Sequence, residues 1–231
     1  MCALKNKVYI CRDNANGIKK KEHNDCLYLN NFTCFEDCVF RFSKGINVFI
    51  GRNGTGKTHI LKCLSASMKA NALFTSKTKD KFGDLLTDKL LGYFKPDTLG
   101  NLVNKYGSGA ASVKVILDAG EIPYNFGERA SLVKTDNNAY IEQPHFIYIP
   151  PREMFSLFEG FISLYDRREI SFDETYLDLA KAMDAAPLKN ESLKAAKDML
   201  MPVFEKWNID VTRKGNRFYV IDDNKEYEAH L

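Results

Sequence analysis

Between Leu27 and Ile50 the chain carries short apolar runs of strand length separated by polar turn residues. Leu27-Tyr28-Leu29 predicts one strand. Cys38-Val39-Phe40-Arg41-Phe42 predicts a second, with Phe40 and Phe42 on one face and Val39 and Arg41 on the other. Ser43-Lys44-Gly45 supplies a turn, and Ile46-Asn47-Val48-Phe49-Ile50 a third strand. Upstream, Val8-Tyr9-Ile10 fits an edge strand, followed by a polar loop with Asn14, Asn16 and Gly17. Beyond Ile50 the period changes. Ile60, Leu61, Leu64 and Met68 recur at helical spacing, which predicts a helix with one apolar face packed on the sheet.

Phe82, Leu85, Leu86 and Leu90 predict another helix, ending near Gly92 and before Pro96. Ser112 to Leu117 and Ile122 to Phe126 flank Ala119-Gly120 and read as a β-hairpin; Ala130 to Lys134 adds a strand. Phe146-Ile147-Tyr148-Ile149, closed by Pro150-Pro151, is the unbroken apolar run of a strand buried on both faces. Asp173 suits the N-cap of a helix that turns Tyr176, Leu179, Ala180 and Met183 inward. Leu193, Ala196, Leu200, Val203, Phe204 and Trp207 continue at helical period, interrupted by Pro202, which predicts a kink or two abutting helices. Ile209 to Thr212 and Arg217 to Ile221 flank Lys214-Gly215-Asn216, a second hairpin.

Strands interleaved with helices place the chain in the α/β class. Its 231 residues, 45% of them hydrophobic, can bury one well-packed core with an inserted region. The net charge of +3 neither demands a nucleic-acid partner nor excludes one, and Lys19-Lys20-Lys21 reads first as a solvated loop. Six cysteines occur without a CxxC pair. Cys34 and Cys38 stand four apart with no second pair at zinc spacing, so the expectation is reduced thiols in a cytoplasmic protein. No signal peptide core and no apolar run of membrane-spanning length are present, so no membrane partner is expected.

The chemistry concentrates in Gly51-Arg52-Asn53-Gly54-Thr55-Gly56-Lys57-Thr58, which fits G-x-x-x-x-G-K-[ST] at every fixed position. Its three glycines open backbone conformations that side chains forbid. The amides of Asn53, Gly54, Thr55, Gly56 and Lys57 are then free to face phosphate oxygens. The loop lies between a predicted strand and a predicted helix, whose N-terminus favours an anion. The expected ligand is ATP with Mg²⁺, with Lys57 on the β- and γ-phosphates and the Thr58 hydroxyl on the metal.

The same loop resembles that of ABC-type ATPases of the SMC, recombination-repair and overcoming-lysogenisation-defect branch. So does its lead-in, Leu27-Tyr28-Leu29-Asn30-Asn31-Phe32, then Phe42 and Lys44 to Ile50. Ile149-Pro150-Pro151-Arg152-Glu153 and Ile170-Ser171-Phe172-Asp173-Glu174-Thr175-Tyr176 are similar to bacterial "AAA family" ATPases of this branch, many of them in phage-defence or mobile-element loci. The resemblance implies a P-loop NTPase fold: an ABC-type nucleotide-binding lobe with a mixed β-sheet. It reads residues 1–231 as one domain, with a Walker A lobe over 27–68, an inserted α/β region over 72–140 and the rest of the lobe over 141–231. It further implies a homodimer that sandwiches two ATPs between Walker A and an LSGG-like signature, a Walker B Asp followed by a catalytic Glu, and a metal-sensing glutamine loop.

Several positions depart from that pattern. No LSGG-like signature occurs. His59 replaces a second hydroxyl residue and becomes the candidate donor to the α-phosphate. Thr33 stands where relatives often carry a basic residue. No glutamine follows Phe146 to Ile149; Glu153 is the nearest candidate for the metal-sensing role, or else a surface carboxylate after the Pro-Pro turn. Phe218-Tyr219-Val220-Ile221-Asp222-Asp223 reads either as Walker B, with Asp222 on the metal, or as the second strand of the hairpin. Asp173-Glu174 offers acids too, but at a helix start. No catalytic residue is assigned, and the chain is expected to be the N-terminal portion of a longer ATPase. The expected function is ATP binding and, with downstream elements, hydrolysis that drives dimerisation or gates an effector protein. The alternatives are a non-hydrolysing nucleotide-binding module and a DNA-binding scaffold using Lys19–Lys21, Lys77, Lys79 and Lys81; a P-loop kinase would need a lid with arginines that the sequence does not reveal.

Overall fold

The computed structural model describes residues 9–12, 25–43, 46–74, 81–107, 109–135, 146–185, 209–215, 217–222 and 225–229. The chain divides into two compact units, Met1–Tyr148 and Ile149–Leu231.

The first unit is built on a five-stranded antiparallel sheet. In chain order, β1 is Tyr9–Arg12, β2 Cys26–Phe32, β3 Phe35–Arg41, β4 Asn47–Ile50, β5 Ala111–Leu117, β6 Gly120–Phe126 and β7 Lys134–Thr135. The sheet order is β3-β2-β5-β6-β7. β2 and β5 pair in register from Cys26↔Ile116 to Asn30↔Ser112, so the hairpin predicted over residues 112–126 extends the sheet begun by β2 and β3. The alternation in β3 is as predicted: Phe40 is buried, while Val39 and Arg41 are exposed. β4 pairs antiparallel with β1, from Tyr9↔Ile50 to Arg12↔Asn47, and its Phe49 ring meets Phe40 and Phe42 edge-on. Asn47 accepts from Ser43 N at 2.9 Å and donates to Ser43 O at 2.9 Å, tying off the approach to β4. Lys44 and Gly45 of the predicted turn lie outside the described residues.

Two helices cover the sheet: α1, Lys57–Leu73, and α2, Phe82–Phe94. α2 buries Phe82, Leu86 and Leu90 as predicted. It runs past Gly92 to Phe94 and stops where Lys95 adopts a left-handed conformation (φ 50°) just before Pro96. In α1, Ile60 and Met68 are buried as predicted, but Leu61 is exposed; Cys63, Ala66, Ser67 and Ala70 fill the interface instead. Small side chains let the helix approach the sheet closely enough for Tyr124 on β6 to reach it. β7 is shorter than predicted. Ala130 to Val133 form no strand, because Val133 N is taken by the Thr87 hydroxyl at 2.9 Å.

Phe146 to Ile149 correct a prediction. The run forms no strand, and Ile147 and Ile149 are 58% and 72% exposed. Its hydrophobicity suits burial, but among the described residues no strand pairs with it, and a strand exists only through its ladder partners.

The second unit contains α3, Phe161–Asp166, α4, Glu174–Asp184, and the strands β8, Ile209–Lys214, β9, Arg217–Asp222, and β10, Lys225–Glu228. The strands form an antiparallel sheet in the order β10-β9-β8. Asp173 caps α4 as predicted, accepting from Thr175 N at 3.1 Å. Met154, Phe158, Phe161, Tyr176, Ala180 and Phe218 form its core. Arg213 lies 5.0 Å from the Phe158 ring and bonds Asp184 at 2.8 Å. The predicted helical stretch 193–207 lies outside the described residues.

Candidate nucleotide-binding site

β4 leads into the loop Gly51–Gly56, and α1 begins at Lys57. The strand–loop–helix order predicted around the glycine motif is therefore present. Gly54 and Gly56 have φ of 79° and 93°, the left-handed region that disfavours side chains. Gly51 is not among the positive-φ glycines, which corrects the expectation that all three need that freedom. Gly51 serves through its carbonyl. The Lys57 ammonium donates to Gly51 O and Arg52 O, both at 2.8 Å, and the Thr55 hydroxyl donates to Arg52 O at 2.9 Å. These bonds draw the loop's first carbonyls onto the lysine.

Gly56 is the N-cap of α1. Among the described residues no side chain caps this helix end, and no acidic residue stands in its first turn. The first intrahelical bond runs from Ile60 N to Gly56 O at 3.0 Å. The first N–H groups of a 17-residue helix therefore meet the loop with no anionic side chain from that turn to offset them. That combination of amides and ammonium attracts a polyanion.

The loop rests on the corner between β2 and β3. A Cβ at Gly56 would fall 2.4 Å from Cys34 Sγ and 2.5 Å from Phe35 Cζ, so glycine is required there by packing as well as by φ. The Cys34 thiol donates to Thr55 O at 3.7 Å. Nothing local in the sequence announced this contact; it joins positions 21 residues apart.

Thr58 is exposed at the start of α1. His59 is half-buried, with its ring edge-on to Phe94 at 5.4 Å; its Nδ1 is buried and has no hydrogen-bond partner among the described residues. Burial, and then the charge of Lys62, hold its pKa below the ordinary value. Lys62 itself donates to Tyr93 O at 2.8 Å near the C-terminus of α2.

Glu153 belongs to the second unit. Its exposed carboxylate accepts from the amides of Phe155 and Ser156 and from the Ser156 hydroxyl, closing its own turn. Asp222 ends β9, opposite Ile209 of β8 and Lys225 of β10, both antiparallel. The hairpin reading of this strand holds. Asp223 lies outside the described residues. Among the described residues no group of three or more His, Cys, Asp and Glu side chains is arranged to hold a metal ion. A single Thr58 hydroxyl beside phosphate oxygens fits Mg²⁺, which commonly takes few protein ligands and keeps its remaining waters.

A glycine loop bound by its own lysine, set between a strand and an uncapped helix N-terminus, defines a P-loop protein of the α/β class. The family model described as "AAA domain" matches residues 26–201, and the chain belongs to that family, which supports nucleotide binding. No curated protein matches the chain. Among the described residues no helix is long and apolar enough to cross a membrane.

Proposed function

We propose that the chain binds ATP with Mg²⁺ in Gly51–Thr58 as part of an SMC-like ATPase. The amides of Asn53 to Lys57 and the Lys57 ammonium hold the phosphates, the Thr58 hydroxyl holds Mg²⁺, and His59 approaches the α-phosphate. Bound Mg²⁺ would neutralise charge building up on the β- and γ-phosphate oxygens. The nucleotide cycle drives homodimerisation through an ATP sandwich and gates an effector protein, in a cytoplasmic setting of DNA repair or phage defence. One observation carries the reading: left-handed Gly54 and Gly56 lead directly into an uncapped α1 whose first residue, Lys57, bonds Gly51 O and Arg52 O at 2.8 Å.

Titration calorimetry with Mg-ATP tests it. The wild-type chain should bind, and Lys57→Ala should abolish binding while circular dichroism stays native. Undiminished affinity in Lys57→Ala ends the assignment.

A second reading, a nucleotide-binding regulatory module that binds ATP without hydrolysing it, is favoured by the antiparallel placement of β9. A Walker B strand runs parallel to the P-loop strand in the buried sheet of such folds. β9 instead belongs to a three-stranded antiparallel sheet of the second unit.

A further inference from the structure

Thr55 O and Gly56 N–H belong to one peptide plane, and the described peptide bonds are all trans. In a trans peptide the carbonyl and the amide point in opposite directions. Whatever holds Thr55 O therefore decides which way the Gly56 amide faces. The holder is Cys34. Its thiol donates to Thr55 O at 3.7 Å from the corner between β2 and β3, and Thr33 Oγ1 lies 4.0 Å from the sulfur as its donor. With Thr55 O turned to that corner, Gly56 N–H is turned away from it, toward the side of the loop where an anion approaches.

The corner is a firm support. Asn31 and Thr33 have φ of 49° and 51°, unusual for residues with side chains. Thr33 N bonds Leu102 O at 2.7 Å, and Asn104 N bonds Asn31 O at 2.8 Å, so the segment around residues 102–104 locks that conformation. The Phe35 ring fills the space beside Gly56, where a Cβ would lie 2.5 Å from it. Burial raises the Cys34 pKa above 9.0, so the thiol keeps the proton it donates at neutral pH. A glycine at φ 93° imposes little barrier of its own against the opposite peptide orientation, which would present a carbonyl to the phosphate.

We infer that Cys34 is a positioning residue of the phosphate loop: its S–H bond to Thr55 O fixes the Gly56 amide in the orientation that receives a nucleotide phosphate. The inference rests on the nucleotide-binding reading above. It implies that a donor at position 34, rather than bulk, sets the affinity.

Two measurements on the full chain test it. In calorimetry with Mg-ATP, Cys34→Ala should raise Kd about fivefold while Tm stays within about 2 °C, and Cys34→Ser, which keeps a donor, should return Kd to within about twofold of wild type. An unchanged Kd in Cys34→Ala overturns the inference. So does a Cys34→Ser variant as weak as Cys34→Ala, or a loss of affinity that only follows a fall in Tm. The second measurement needs no nucleotide. In a ¹H–¹⁵N spectrum the Gly56 amide should give one peak in wild type and Cys34→Ser, and a doubled or broadened peak in Cys34→Ala as the peptide samples both orientations. A single unshifted peak in Cys34→Ala overturns the inference even if ATP binds. Wild-type protein that ignores Mg-ATP sinks the nucleotide reading, and the spectrum still decides the role of Cys34.

Discussion

The phenol oxygen of Tyr124 lies 3.3 Å from the Cys63 sulfur and 3.3 Å from Ser67 Oγ, fastening β6 to α1 through the middle of the first unit. Tyr124 and Cys63 are fully buried, and burial pushes the Cys63 thiol up to about 12. Both groups therefore stay protonated and act as neutral donors and acceptors. Tyr124→Phe removes the shared oxygen. Ser67 keeps its bond to Cys63 O at 2.9 Å, so only the thiol is left short of a partner. The expected cost is about 1 kcal/mol, a Tm lower by about 2–4 °C in thermal denaturation. A Tm equal to or above wild type would show that the contact is incidental packing.

Gly54 and Gly56 share a left-handed backbone but not a neighbourhood. A Cβ on Gly54 meets nothing within 4 Å, whereas one on Gly56 collides with Cys34 and Phe35. Gly54→Ala should bear the backbone strain alone, roughly 1–2 kcal/mol. Gly56→Ala adds a clash that only displacement of the loop or of the buried Phe35 ring relieves. Its Kd for Mg-ATP should rise at least about tenfold beyond that of Gly54→Ala, the ratio that a further ~1.4 kcal/mol gives. Equal Kd values for the two variants would remove the corner between β2 and β3 from the account of the site.

Much of this was legible in the chain because it is local. The alternation of Phe40 against Val39 and Arg41 marked the two faces of β3, and Asp173 announced α4. The strand–loop–helix context of Lys57 followed from residue order alone. Three features were not legible. Periodicity weights large apolar residues, so it chose Leu61 for the buried face of α1, where Cys63, Ser67 and Ala70 sit. An apolar run states a need for cover but not its supplier, and Phe146 to Ile149 form no ladder among the described residues. The Cys34–Thr55 contact depends on how a β-corner meets a loop, and no residue type encodes that alone.

His59 makes the first unit acid-sensitive. Burial beside Phe94, and then the nearby Lys62 charge, lower its pKa from 6.5 in the folded chain. The unfolded chain therefore takes up this proton at a higher pH than the folded one. The contribution of neutral His59 to stability is complete above pH 6.5 and is lost as pH falls from 6.5 through the lower folded value. Tm measured between pH 7.5 and 5 should fall more steeply in wild type than in His59→Gln, which cannot titrate. Parallel slopes in the two proteins would mean that the imidazole remains hydrated.

Asp222 separates the two readings of ATP turnover. Its sequence context, four apolar residues and then two acids, matches a Walker B strand, but β9 is paired antiparallel on both edges, with Ile209 and Lys225 opposite Asp222 itself. A metal-binding aspartate needs its strand beside and parallel to β4, so that the carboxylate emerges at the same sheet end as Thr58. Phosphate release by this chain should therefore stay near background with Mg-ATP, and Asp222→Asn should leave both that rate and the binding isotherm unchanged. Robust Mg²⁺-dependent release that disappears in Asp222→Asn would restore the Walker B role, and would require β9 to leave its antiparallel sheet when nucleotide binds.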